Sequence, residues 1–276
     1  RHSSRHMLQG RLPISMHGIT LEPKRTTRIL FAVLAILVAL SVLTSLCHLV
    51  LHWRVEALTQ LADLDTEANL PTLYNVLLFF FGAALFLLHG REFSGKPVRA
   101  WQTMAAVFLF LGIDEGSQIH EKFLQFTKRL VEGTGGGELG GWLYYAWVIP
   151  YGLAAITLAF VLSRWFFGLS PALRKRLVIS GIIYVFGAVF MEMAGGKVIE
   201  SLTPVDAANY PWMPCRVFGD TADCWLFMEP KYIAMYTLEE TFEMTGLILC
   251  IRALLLELAD RSKQLSLAIV PVEKGT

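Results

Sequence analysis

The sequence predicts an all-α integral membrane protein, a bundle of six transmembrane helices with both termini in the cytoplasm. Three observations carry this. Hydrophobic residues make up 54% of the 276 positions and charged residues only 17%, against about 25% charge in soluble domains. Mean hydropathy is +0.50. The apolar residues fall in blocks of about 20, enough to cross a hydrocarbon core of roughly 30 Å. A net charge of +1 offers no basic face for nucleic acid.

Residues 1–28 form a polar, basic N-terminal tail with Met at 7 and 16, and positions near its start are read as non-native or as preceding the biological start. The transmembrane domain is expected over 29–256, with a C-terminal tail over 257–276. Span 1 runs from Ile29 to Leu51 and carries His48 at its far end, with His52 one turn on. An acidic segment comes next, containing Asp63, Asp65 and Glu67. Pro71 suits the first turn of a helix, so span 2 is placed from Pro71 to Leu88. Span 3 runs from Val98 to Gly116, with an amphipathic extension through Ile119, Phe123, Phe126 and Leu130 that stops at Gly133. Span 4, Trp142 to Trp165, has aromatic residues at both ends and a kink expected at Pro150. Span 5 is placed from Leu177 to Gly196 and span 6 from Tyr232 to Leu256.

Lys and Arg in the short loops set the orientation. The N-terminus, the 2–3 loop, the 4–5 loop and the C-terminus are basic, and all fall on one side of a six-span bundle. The positive-inside rule makes that side cytoplasmic. Cys215 and Cys224 then face the oxidising side, where a disulfide closing their short loop would contribute about 2–3 kcal/mol. Cys47 and Cys250 lie within spans and are expected to be packing residues.

The same topology sorts the ionisable residues by depth. Asp114, Glu115, His120 and Glu121 end span 3, Glu192 ends span 5, and Glu239, Glu240 and Glu243 sit in the outer part of span 6. His48, His52 and Glu67 form a second tier at the same end. Ionisable groups at membrane depth cost about 2.5–3.5 kcal/mol each on insertion scales, so such a gathering points to a task. At 100° per residue Glu239, Glu240 and Glu243 share one arc. Three carboxylates so close in low dielectric must bind a cation, share protons or meet water. Carboxylate and imidazole ligands suit zinc, iron or manganese, so a divalent metal ion is the expected cofactor. No Glu-x-x-His pair or His-Glu-x-x-His motif is present. The span 3 and span 6 carboxylates are expected to face one cavity ringed by spans 1, 3, 5 and 6, with spans 2 and 4 peripheral.

Leu64 to Thr72, Asp114-Glu115 with His120-Glu121, and Glu239-Glu240 with Glu243-Met244-Thr245-Gly246 resemble a group of bacterial six-span membrane proteins that carry Asp-Glu-x4-His-Glu and Glu-Glu-x2-Glu motifs. The resemblance covers about Ile29 to Leu256. It implies a six-helix membrane fold in which these motifs go together, and it implies no activity; with the orientation set by the basic loops, the expected location is the bacterial inner membrane with the site facing the periplasm. Asp114, Ser117, His120 and the His48/His52 pair also supply the residue types used around zinc by the alkaline ceramidase-like membrane hydrolases, although order, spacing and helix number differ. Three functions are expected from these readings: a metal-dependent membrane enzyme acting on a lipid or other apolar substrate, an accessory subunit docking to other membrane proteins, or an ion- or proton-coupled transporter.

Overall fold

Gly82 and Gly112 let the helices at the centre of the bundle meet. In the computed structural model, which describes residues 19–51, 56–66, 68–92, 98–133, 142, 145–201, 229–261 and 266–267, a Cβ at Gly112 would lie 2.8 Å from the ring of Phe80, and one at Gly82 would lie 2.6 Å from that of Phe108. These contacts join α3 (Leu70–Glu92) to α4 (Val98–Ser117). The longest helix, α9 (Pro230–Arg261), packs against α3 and also against α1 (Pro23–Leu51), α7 (Pro171–Val185) and α8 (Glu192–Ser201). Its buried residues Met244, Ile248, Ile251 and Leu255 recur at helical spacing and meet Leu78, Phe79, Leu85 and Phe86 in the core.

Among the described residues, four helices are long and apolar enough to cross a membrane: Pro23–Leu51, Leu70–Arg91, Val148–Phe167 and Pro171–Ile199. This is the pattern of a membrane protein in contact with lipid. The helices at expected spans 3 and 6, α4 and α9, fall outside that set because they carry the charges of the candidate site, Asp114 and Glu115 on one and Glu239, Glu240 and Glu243 on the other.

The order of layers differs from expectation. Expected span 2 is α3, and it is central, with Asn75, Leu85 and His89 completely buried. A helix apolar on every side fits a bundle interior as well as a lipid-facing position, so its uniform composition could not distinguish them. Expected span 4 corresponds to α6 (Val148–Phe167), which does lie at the periphery, with Ile156 70% and Phe160 81% exposed. Pro150 does not kink α6, because the helix starts at Val148 and the ring occupies the first turn, where no amide donor is needed.

Two connections are more structured than a loop. After α2 (Glu56–Ala62) the chain turns into the bundle, burying Asp63 and Leu64, and the Leu64 amide donates to Ser41 Oγ of α1 (3.2 Å). Asn69 then caps α3: its Oδ1 accepts from the Thr72 amide (3.1 Å), while its Nδ2 donates to the Asp63 carbonyl (2.6 Å). Glu67, expected at the second tier of the site, lies outside the described residues. At the end of α4 the helix stops at Gln118, whose φ of 55° is left-handed, and α5 (Ile119–Gly133) leaves in a new direction. Near the chain ends a two-residue antiparallel ladder, β1 (Ile19–Thr20) with β2 (Ser266–Leu267), adds the only strands among the described residues.

Candidate functional site

Asp114 and Glu115 are adjacent in α4 and so face about 100° apart around the helix. Asp114 Oδ1 accepts from the His120 backbone amide (2.8 Å) and lies 3.4 Å from His120 Nδ1, so it closes the turn into α5. The phenol of Tyr151 on α6 faces the same carboxylate. Glu115 instead points into the bundle, where its Oε1 accepts from Asn75 Nδ2 of α3 (2.9 Å). Asn75 is 0% exposed, and its Oδ1 finds no hydrogen-bond partner among the described residues. An acceptor held dry beside a carboxylate lacks the donor that buried polar groups nearly always find.

Glu115 meets the acidic face of α9 there. Its charge acts directly on Glu239 and Glu243, and Glu192 of α8 acts on both as well. Glu240 and Asp65 add to the field at Glu239. Tyr184 of α7 stands among these groups, within the fields of Glu243, Glu115 and Glu240. Four helices therefore bring carboxylates or a phenol to one region.

Close backbone packing holds α7 and α9 at this point. A Cβ on Gly187 would lie 2.7 Å from the Glu239 carbonyl and 2.9 Å from the Glu243 amide; one on Gly246 would lie 2.7 Å from the backbone nitrogen of Tyr184. Gly187 falls in a π-helical turn, Phe186–Met191, that joins α7 to α8. Such a turn inserts one residue into the helix and rotates the side chains beyond it, here beginning with Glu192. The Glu192 carboxylate then accepts from Trp147 Nε1 (2.7 Å).

Of the residues expected at a metal site, Glu115, Glu192, Glu239, Glu240 and Glu243 are brought together, whereas Asp114 and His120 pair with each other to one side. His48 is buried on the stripe of α1 that includes Ser41 and Thr44. His52, Glu67, Cys215, Cys224 and the side chain of Glu121 lie outside the described residues. Cys250 is a buried free thiol and Cys47 a partly buried one. Among the described residues no three His, Cys, Asp or Glu side chains form a ligand set ready for a metal ion. Asp114 is engaged by His120, Glu192 by Trp147 and Glu115 by Asn75.

Sequence reasoning passed over several members of this region. Asn75 was legible in principle, as a lone amide within an apolar span that had to be paired or functional. Asp65, which accepts from the Tyr232 hydroxyl (2.7 Å), looked like part of a solvated acidic segment. Nothing local marks Tyr184 or Trp147, whose partners lie 59 and 45 residues away on other helices.

No curated protein and no solved structure matches the chain. The family described as Domain of unknown function (DUF8692) matches residues 29–258, most of the chain and all of the helices that build this site. The chain belongs to that family.

Proposed function

We propose that this protein is a six-span protein of the bacterial inner membrane, with both ends cytoplasmic, that binds a cation among Glu115, Glu239, Glu240 and Glu243 in its periplasmic half. The bound ion serves a reaction on a lipid or other apolar substrate reaching the site between helices. The observation that carries this reading is that the charges acting on the α9 carboxylates are those of other carboxylates, Glu192 first at Glu239 and Glu115 first at Glu243. Like charges in a helix bundle are stable together only with a cation, with shared protons or with water. The orphaned Asn75 Oδ1 supports a cation, since it adds a buried oxygen on the side chain that holds Glu115.

The available donors are all oxygen. That set favours a hard ion such as Mn²⁺, Mg²⁺ or Ca²⁺ over zinc, which refines the expectation from sequence. An ion there would polarise a carbonyl or activate a water. The chain's own part is to hold the carboxylates in place through Asn75 and the α7–α9 backbone contact, and to leave one carboxylate to take a proton.

Elemental analysis of protein purified in mild detergent without chelator tests this. A stoichiometric divalent ion is expected in wild type and should be lost when Glu115 and Glu243 are both changed to Gln. Absence of a stoichiometric ion from wild type would overturn the reading.

A further inference from the structure

At the opposite end of the bundle, a cavity of about 700 Å³ opens between the start of α4, the end of α6, the start of α7 and the end of α9. Arg99 and Glu115 sit near opposite ends of α4, separated by about 24 Å at 1.5 Å per residue, so this cavity is independent of the carboxylate site. We propose that it binds the headgroup of an anionic phospholipid.

The charges and the walls both support this. Arg99 and Arg164 line the cavity, and neither makes an ion pair with a carboxylate among the described residues. The one acid in the lining, Glu257, is engaged by the start of α7. Its Oε2 accepts from Ser170 Oγ (3.0 Å), and Ser170 in turn caps the Leu173 amide (3.3 Å), so this carboxylate answers the positive helix terminus. The two forked guanidiniums are then left for an anion, and phosphate is the anion that such forks hold best.

The aromatic wall is fixed. His89 Nε2 donates to the Leu254 carbonyl (3.1 Å), its ring stacks on Trp101 (4.7 Å between centroids, 12° between planes), and Trp101 meets Trp165 edge-on at 4.9 Å. The lining continues through Val161 and Leu162 onto the exposed apolar face of α6, where Phe160 and Val161 are 81% and 67% exposed. A headgroup phosphate between the arginines would thus leave its acyl chains along α6. That continuity selects a lipid over a free phosphate. The cavity also lies at the end bearing the basic loops, the cytoplasmic side by the positive-inside rule, where anionic headgroups attract basic pockets between helices.

Native mass spectrometry of the full chain in mild detergent tests the assignment, with dioleoyl phosphatidylglycerol, dioleoyl phosphatidylcholine and inorganic phosphate as probes. Wild type should retain phosphatidylglycerol over phosphatidylcholine by about thirtyfold, taking roughly fivefold for each of two guanidiniums near the membrane surface. Arg99→Gln combined with Arg164→Gln should erase that preference. Inorganic phosphate in excess should fail to displace the lipid. Equal retention of the two lipids by wild type, or an unchanged preference in the double arginine variant, would overturn the proposal. Displacement by free phosphate would overturn the assignment to lipid.

Discussion

Gly246→Ala is expected to destabilise the protein by about 3 kcal/mol, the upper end for a group forced into a closed interface. The added methyl would lie 2.7 Å from the backbone nitrogen of Tyr184 and 2.8 Å from its Cα. Backbone cannot turn aside as a side chain can, so α7 must move off α9. That movement would also carry Tyr184 away from Glu243 and open the contact at Gly187. Gly152→Ala on α6 is the control, because a Cβ there meets nothing within 4 Å; it should be neutral or gain up to about 1 kcal/mol from the lower entropy of the unfolded chain. Unfolding midpoints in mild detergent compare the two. A Gly246→Ala protein as stable as wild type would show that the helices are free to separate.

Asn75→Leu should cost about 3 kcal/mol, and the cost should depend on Glu115. Asn75 is completely buried and gives Glu115 its hydrogen bond. Hydrogen bonds to charged groups contribute about 1.5–3 kcal/mol, and stranding the acceptor adds its desolvation penalty. Replacing both partners with apolar side chains removes that penalty. Asn75→Leu introduced into a Glu115→Leu background should therefore be close to neutral in the same unfolding measurement. An equal cost in both backgrounds would mean that Asn75 acts through packing alone.

These two positions also show what the sequence could reveal. The carboxylates of α4 and α9 were legible, because Asp114, Glu115, Glu239, Glu240 and Glu243 interrupt apolar runs. Gly133 as the end of α5 was legible from composition in the same way, whereas the aromatic residues from Trp142 suggested a helix that in fact starts at Val148. The centrality of α3 was not, since an all-apolar surface looks alike against lipid and against protein. The turn at Gln118 was hidden because a left-handed residue other than glycine carries no strong signal, and it brings the His120 amide back to Asp114. Residues far apart in sequence were hardest to group. Arg99, Arg164 and Glu257 looked like unrelated residues near helix ends until the fold placed them around one cavity.

The central claim is that Glu115 of α4 and Glu243 of α9 act on one cation, and a double-mutant cycle on Mn²⁺ affinity tests it most directly. Binding is measured by calorimetry or by the manganese spin signal for wild type, Glu115→Gln, Glu243→Gln and the combined variant. Each single change should weaken binding by about tenfold or more, and the combined change should add little, because groups sharing one ligand fail together and not additively. Losses that multiply, or an affinity indifferent to either substitution, would contradict the account.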